Sequence, residues 1–484
     1  MLVLLATGCR VREAIPPPQR PLAATPAEAL AEPPSVELDA PGLSLRLVRR
    51  ELDNGLTIFV SRGAADGVVS VAFVDRSGGR WDPRAPAALT ELTVDTLLRA
   101  TRTVDGGVVD DLLERAGFTP EVHLLGSGWL VRDRILFEEL PRYLTGLERS
   151  LRHPVHREAD LRLVLDARVE RRSALVLTPD GLIADRLPGL LYADGDRRAG
   201  SLRDEIAVLR GLGVDDLTAR HDALLDPRRC AIVIAGDVEP LGALPLVRAR
   251  FGGWEAGDAP PMDAPPPRHR TEGARGLVIV QPLVRTYLKL LEHAPPLAHE
   301  DHAAFLVLEQ LLGGMFASRL NLVLREGRGI SYGFHARYAA TATEGELQMV
   351  TAIDPAHTAA VVEAILEELR RVRGEHGPGV RPFELSVAKT RAREQLLADL
   401  DHSLGVATTI GVHWLAGRDP EALPALLARL DALDADAVEA AARRWIRPDR
   451  APIVAVGRAD VVQALRAAGT GSLRVIAAPE RHRR

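Results

Sequence analysis

A chain of 484 residues has room for about two to four domains. Its 46% apolar and 26% charged content is that of a globular protein and excludes long disorder or a collagen-like repeat. The formal net charge of −5 excludes a large basic nucleic-acid footprint, and no apolar run reaches the roughly 18 residues of an ordinary membrane-spanning helix.

The chain opens on Leu2-Val3-Leu4-Leu5-Ala6-Thr7-Gly8-Cys9. A short apolar run, small residues and then cysteine resemble the end of a bacterial lipoprotein signal. Residues 10–36 follow with Pro16-Pro17-Pro18, Pro21, Pro26 and Pro33-Pro34 and no apolar period, the composition of an extended, solvated tether. Together they predict a chain lipidated at Cys9 and standing off a membrane on the periplasmic side of a bacterial envelope. Cys230 then has no disulfide partner. Its setting, Ala231-Ile232-Val233-Ile234, predicts a buried small hydrophobe.

Leu56–Val60 and Val68–Val74 are β-branched runs separated by the turn signals Arg62-Gly63 and Asp66-Gly67, and they predict adjacent strands. Residues 87–100, 157–176 and 214–225 carry helical periodicity. The Pro-rich break at 258–267 predicts a linker. Beyond it, Leu277–Val280 reads as a strand, while 302–312 and 358–373 read as helices. The segments expected are a signal end and tether at 1–40, an N-terminal domain at 41–257, a linker at 258–272 and a C-terminal domain at 273–480. Strands mixed with helices in each half predict an α+β fold.

The halves also match internally. Pro227-Arg228-Arg229-Cys230-Ala231-Ile232-Val233-Ile234-Ala235-Gly236 corresponds to Pro448-Asp449-Arg450-Ala451-Pro452-Ile453-Val454-Ala455-Val456-Gly457. In the helical stretches before them, Asp215 stands opposite Asp436 and Leu217 opposite Val438. Similar half lengths and a central linker make this a duplication.

Three segments in chain order resemble the insulinase-like (M16, inverzincin) metallopeptidase family: Leu52-Asp53-Asn54-Gly55-Leu56-Thr57-Ile58-Phe59-Val60; Ser77-Gly78-Gly79-Arg80-Trp81-Asp82 with the helix behind it; and Leu312-Gly313-Gly314-Met315-Phe316-Ala317-Ser318-Arg319-Leu320 followed by Leu324-Arg325-Glu326-Gly327-Arg328-Gly329-Ile330-Ser331-Tyr332. Ile234-Ala235-Gly236-Asp237-Val238 also fits. The resemblance covers about residues 48–465 and implies two homologous halves facing each other like a clamshell.

Active members of that family carry H-x-x-E-H, two zinc-binding His on one helical face with a Glu as general base. Here the three positions hold Glu91, Val94 and Asp95, and no H-x-x-E-H occurs elsewhere. Val94 cannot accept a proton. The family's third ligand, a Glu on a later helix, falls on either Asp166 or Glu170. Glu91 and Asp95 are read as carboxylates that are solvated or that favour the helix dipole, not as a metal site. The resemblance further implies that Arg325 and Tyr332 help hold the substrate backbone and the developing oxyanion.

Among the remaining histidines, His299 and His302 read as a loop and helix start, and His153 and His156, flanking Pro154, read as surface residues. Gly126-Ser127-Gly128-Trp129 is not the G-x-S-x-G of a nucleophile elbow. The chain is therefore expected to hold no cofactor and to be the non-catalytic, substrate-positioning subunit of a zinc peptidase heterodimer acting on short unfolded peptides. Its partner is expected to be a homologous chain with an intact H-x-x-E-H carrying the zinc, with no nucleic-acid partner. Two alternatives are a pseudo-peptidase scaffold of the envelope and an active metallohydrolase using Glu91, Asp95 and Asp166.

Overall fold

The computed structural model describes residues 35–40, 43–64, 66–77, 85–257, 266–270, 273–327 and 329–478. Cys9, the Pro-rich stretch up to residue 34 and residues 78–82 of the Ser77–Asp82 segment lie outside the described residues.

The first half contributes β1 (Ser35–Ala40), β2 (Leu43–Glu51), β3 (Thr57–Arg62), β4 (Val68–Asp75), a separate pair of β5 (Ala100–Arg102) and β6 (Val108–Asp110), then β7 (Glu121–Leu124), β8 (Trp129–Leu136) and β9 (Cys230–Gly236). The main sheet runs β1-β2-β3-β9-β4-β8-β7. Residues 35–40, expected to end the tether, are thus an edge strand, paired antiparallel with β2. The order also corrects the expectation that the Leu56–Val60 and Val68–Val74 runs are neighbours. β9 lies between them, parallel to β3 and antiparallel to β4. Burial accounts for this: all seven residues of β9 are buried, and an uninterrupted apolar strand belongs where both sheet faces are covered. Cys230, Ile232 and Ile234 face one apolar cluster, while Ala231, Val233 and Ala235 face another.

The second half contributes β10 (Gly276–Val280), β11 (Thr286–Ala294), β12 (Ser331–Ala340), β13 (Gly345–Ile353), β14 (Ile453–Gly457) and β15 (Leu473–Ala477), in the order β12-β13-β11-β14-β10-β15. β14 is parallel to β10 and antiparallel to β11, as β9 is to β3 and β4. The two matching sequence segments therefore become the same central strand of two sheets. The run β3-β9-β4-β8-β7 has its counterpart in β10-β14-β11-β13-β12, so both α+β halves share one topology.

One face of each sheet is covered by helices of its own half. In the first half these are Leu140–Arg152 and Pro240–Phe251, through Tyr143, Leu147, Val247 and Phe251. In the second, His302–Glu309 and Thr358–Val372 do the same through Phe305, Leu308, Ile365 and Leu369. The apolar stretch His302–Arg325 could span a membrane by length and composition alone, but 78% of its apolar window is buried in this core.

The other face of each sheet is covered by the opposite half. Helix Ser403–Leu415 lays Val406, Ala407, Ile410, Trp414 and Leu415 on Phe59, Ala72, Val74 and Val233 of the first sheet. Helix Pro179–Leu191 lays Leu182, Ile183, Leu187 and Leu191 on Leu277, Ile279, Val454 and Val456 of the second. Gly411 permits the close approach, because a Cβ there would stand 2.9 Å from Val74 Cγ1. Polar contacts rim the seam: the Arg76 guanidinium lies 3.8 Å from the Trp414 ring centre, and Arg198 Nε donates to Glu344 at 3.1 Å. Part of the linker docks here too, with Ala193 N donating to Arg268 O and Arg270 N donating to Leu191 O, each at 2.8 Å.

His413, on the helix that crosses to the first sheet, is 6% exposed, and its Nδ1 has no hydrogen-bond partner among the described residues. Burial, with Arg418 and His302 adding to it, holds its pKa down to about 3. An unfolded chain takes up this proton near pH 6.5 and the folded chain does not, so this imidazole costs stability as pH falls from 6.5 toward 3. Replacing His413 by Gln removes that dependence. Relative to the parent, the variant should gain about 1.4 kcal/mol per pH unit below pH ~6.5, read from urea unfolding of both proteins at pH 7, 6 and 5. A difference independent of pH would contradict a neutral, buried His413.

Candidate functional site

Helix Ala87–Leu97 carries the positions at which the resemblance places a zinc motif. It is buried on nearly every side, through Ala88, Thr90, Glu91, Leu92, Thr93, Val94, Thr96 and Leu97. Such a helix is a core element. Val94, 1% exposed, belongs to the apolar cluster beneath the first sheet. Ala88 and Leu92 pack on Leu161, Val164, Leu209 and Leu217 of three neighbouring helices. The expected helix end at 100 moves to Leu97, because Ala100 already pairs with Asp110 across β5 and β6.

Glu91 is not solvated, Asp95 is half-buried, and neither serves a helix dipole. Glu91 is 6% exposed and sits mid-helix. One turn apart, the two carboxylates face helix Glu158–Leu175, which answers with two arginines one turn apart. Arg168 Nη1 donates to Glu91 Oε2 at 2.8 Å, and its Nε donates to Asp95 Oδ2 at 2.6 Å. Arg172 donates from Nη2 to the same Glu91 oxygen and from Nε to Glu205 at 2.9 Å. Burial pushes the Asp95 carboxyl above its ordinary range, against the pull of Arg168. Burial also opposes the charge on Arg172, and its pairs with Glu91 and Glu205 more than offset that, so its pKa is raised.

Asp166 and Glu170, the two alternatives for a third ligand, are both exposed. Each is two residues from Arg168, about 200° around the helix, and so faces away. Among the described residues no three His, Cys, Asp or Glu side chains converge as a metal site. Two carboxylates already held by guanidinium groups, with no imidazole beside them, do not fit zinc, which favours His and Cys. The sequence did hold the missed signal. Glu91-x-x-x-Asp95 and Arg168-x-x-x-Arg172 are i, i+4 pairs of opposite charge on two helices.

The Gly-rich segment of the second half is built around the start of β12. Helix His302–Glu309 continues as a wider π turn at Gln310–Gly314. A Cβ on Gly313 would stand 2.5 Å from Ala336 N, so only glycine lets this turn meet the strand. Asn321 clamps the strand, with Nδ2 donating to Phe334 O at 3.0 Å and Oδ1 accepting from Phe334 N at 2.9 Å. Arg319 is buried, donating from Nε to Glu384 at 3.1 Å and from Nη2 to Gly379 O at 2.6 Å. Arg325 is half-buried, with its guanidinium 4.3 Å from the ring centre of Phe316, which is 66% exposed. Tyr332 lies on β12, and its side chain is outside the described residues. Glu91 and Asp95 therefore sit on a helix of one half, while in the other half Arg325 lies on the helical segment Leu322–Gly327 and Tyr332 on β12.

His153 is exposed, as read from the sequence, but His156 is not a surface residue. It is half-buried, 3.1 Å from Thr96 Oγ1 and packed against the His221 ring. His302 is buried, with Nδ1 2.9 Å from the Tyr338 hydroxyl. Cys230 is free and buried, and desolvation pushes its thiol pKa far up.

The family model described as "Peptidase M16 inactive domain" matches residues 211–391. An uncharacterized zinc protease of Mycobacterium bovis is 26% identical over 272 residues, 55% of this chain and 60% of that protein, so the chain spans about 60% of the relative's length. An uncharacterized zinc protease of Bacillus subtilis is 21% identical over 83% of this chain and 96% of its own. Among solved structures, a protease from Helicobacter pylori superposes with a TM-score of 0.74 at 15% identity, covering 85% of this chain and 99% of that one. A peptidase M16 inactive domain from Pseudomonas fluorescens gives 0.74 at 17% identity, covering 85% and 98%. The two superpositions concern the fold. With the matching family model, the zinc protease relatives and the altered helix positions taken together, this chain is a homologue of the insulinase-like M16 peptidases that lacks the H-x-x-E-H zinc motif.

Proposed function

We propose that this chain is the substrate-positioning subunit of a two-chain M16 peptidase acting on short, unfolded peptides, and holds no catalytic metal itself. Its partner is a homologous chain with an intact H-x-x-E-H, which carries the zinc and the general base. The observation that carries this reading is the contrast between the halves. On the motif helix the carboxylates are held by arginines, while the Gly-rich segment presents Arg325 beside an exposed Phe316. In the assembled pair, Arg325 and Tyr332 donate to the substrate backbone and to the oxygen on which negative charge develops. The Phe316 ring, 4.3 Å from the Arg325 guanidinium, restrains it, which limits the entropy lost on binding. Cys9 and the Pro-rich stretch behind it anchor the chain to the periplasmic face of a bacterial membrane.

The purified chain should not cleave fluorogenic peptides and should contain no stoichiometric zinc by elemental analysis. Co-purified with its zinc-bearing homologue, it should support chelator-sensitive turnover. Cleavage by the chain alone that a chelator abolishes would favour the carboxylate metallohydrolase instead.

In the reconstituted pair, Arg325→Ala and Tyr332→Phe should each lower kcat by about 10²-fold or more. Turnover unchanged in both variants would leave the chain a scaffold. Cys9→Ser should move the chain from the membrane fraction to the soluble fraction of cells, and membrane retention of that variant would remove the lipid anchor.

A further inference from the structure

We propose that the arginine pair Arg168 and Arg172 has taken the place of the metal and its third ligand, so that this chain is closed to metal rather than emptied of it. The inference rests on homology to the M16 peptidases and on the geometry of the first half, and it holds whether the chain positions substrate or only scaffolds.

A carboxylate withdrawn from water needs a positive partner. Glu91 and Asp95 project from one face of a helix packed on most sides, and unpaired charge there is costly. A cation must sit between them. A divalent ion would bind to both side chains and to a third ligand arriving from a later helix. In this structure the later helix Glu158–Leu175 faces both carboxylates, and what it brings to them is a guanidinium. Arg168 places two different nitrogens on the two carboxylates, Nη1 on Glu91 and Nε on Asp95. It thereby bridges the i and i+4 positions as a shared metal ion bridges two ligands. The planar fork of arginine suits this task, and its charge does not depend on pH or on metal supply.

Arg172, one turn further on, closes the remaining side of Glu91 and ties the cluster to Glu205 on helix Leu202–Arg210. Three helices are thus joined through two guanidinium groups. A metal ion entering this volume would meet two fixed positive charges at low dielectric, and their repulsion opposes it.

The carboxylates at 91 and 95 fit this replacement as well. Carboxylates accept from arginine in the geometry seen here, whereas imidazoles would present N–H donors or single lone pairs to the same guanidinium. The change from His to acid at the motif and the presence of arginines on the facing helix therefore form one compensated set. Val94 completes it: no water needs activation here, and the side chain joins the apolar core.

The test is zinc occupancy, which needs neither a partner nor a substrate. Three full-length variants are purified, dialysed against zinc and analysed for bound metal. The first, E91H/V94E/D95H, restores the motif and keeps both arginines. It should retain no stoichiometric zinc. The other two add R168E/R172A or R168A/R172E to that background, and at least one should retain about one zinc per chain, removable by chelator. Stoichiometric zinc in the first variant, or in the unaltered protein, would overturn the proposal.

A second measurement on single variants keeps the proposal falsifiable if the multiple variants fold poorly. Arg168→Ala should lower the melting temperature of the otherwise unaltered chain by about 5 °C or more. Arg162→Ala, which removes an exposed pair with Glu158 on the same helix, should leave it nearly unchanged. Addition of zinc or chelator should not shift the unaltered protein. Equal effects of the two alanine substitutions, or stabilisation of the unaltered chain by zinc, would count against an arginine-completed site.

Discussion

The fold depends on keeping both faces of two sheets dry. β9 and β14 are apolar on both sides, and each half covers only one of those sides with helices of its own. The second side is covered by Ser403–Leu415 crossing in one direction and Pro179–Leu191 in the other. Neither sheet is complete without the opposite half, so the duplicated units cannot behave as two beads on a string. Small residues on the receiving face, Ala72, Ala231 and Ala235 among them, leave room for the crossing helix. Gly411 on that helix removes the last obstructing Cβ.

Within this frame two helices of the first half, Ala87–Leu97 and Glu158–Leu175, are joined by charge as well as by packing. Helix Ala87–Leu97 is too deeply packed to expose Glu91 to water, and the arginines of Glu158–Leu175 supply the positive charge that burial demands. A buried ion pair seldom adds net stability over an apolar replacement, but loss of one partner is severe. Once carboxylate and guanidinium face each other in this setting, either one alone is a liability.

The second half is built differently. Gly313, Arg319 and Asn321 build the entry to β12, through close approach, a buried ion pair and a two-point clamp on Phe334. These are structural roles, and they account for much of the segment's residue pattern without reference to a substrate. Arg325 is different in kind, since it lies half-buried against an exposed aromatic ring.

The linear pattern was sufficient for the α+β class, the duplication and the loss of the zinc motif, because these depend on period, spacing and residue type within short windows. The matched segments ending at Gly236 and Gly457 already marked the duplication, because the same residue types recur at a constant spacing. Sheet order, ion pairing and the burial of single side chains depend on partners far away in the chain, and there local reading stopped. It made β3 and β4 neighbours, since nothing nearby says that a strand from residue 230 enters between them. It took Glu91 and Asp95 for free carboxylates and weighed Asp166 and Glu170 as ligands, although the helix turns both of those outward. Charge has no fixed partner along a sequence, and only the crossing of two helices 70 residues apart made Arg168 the cation of this site.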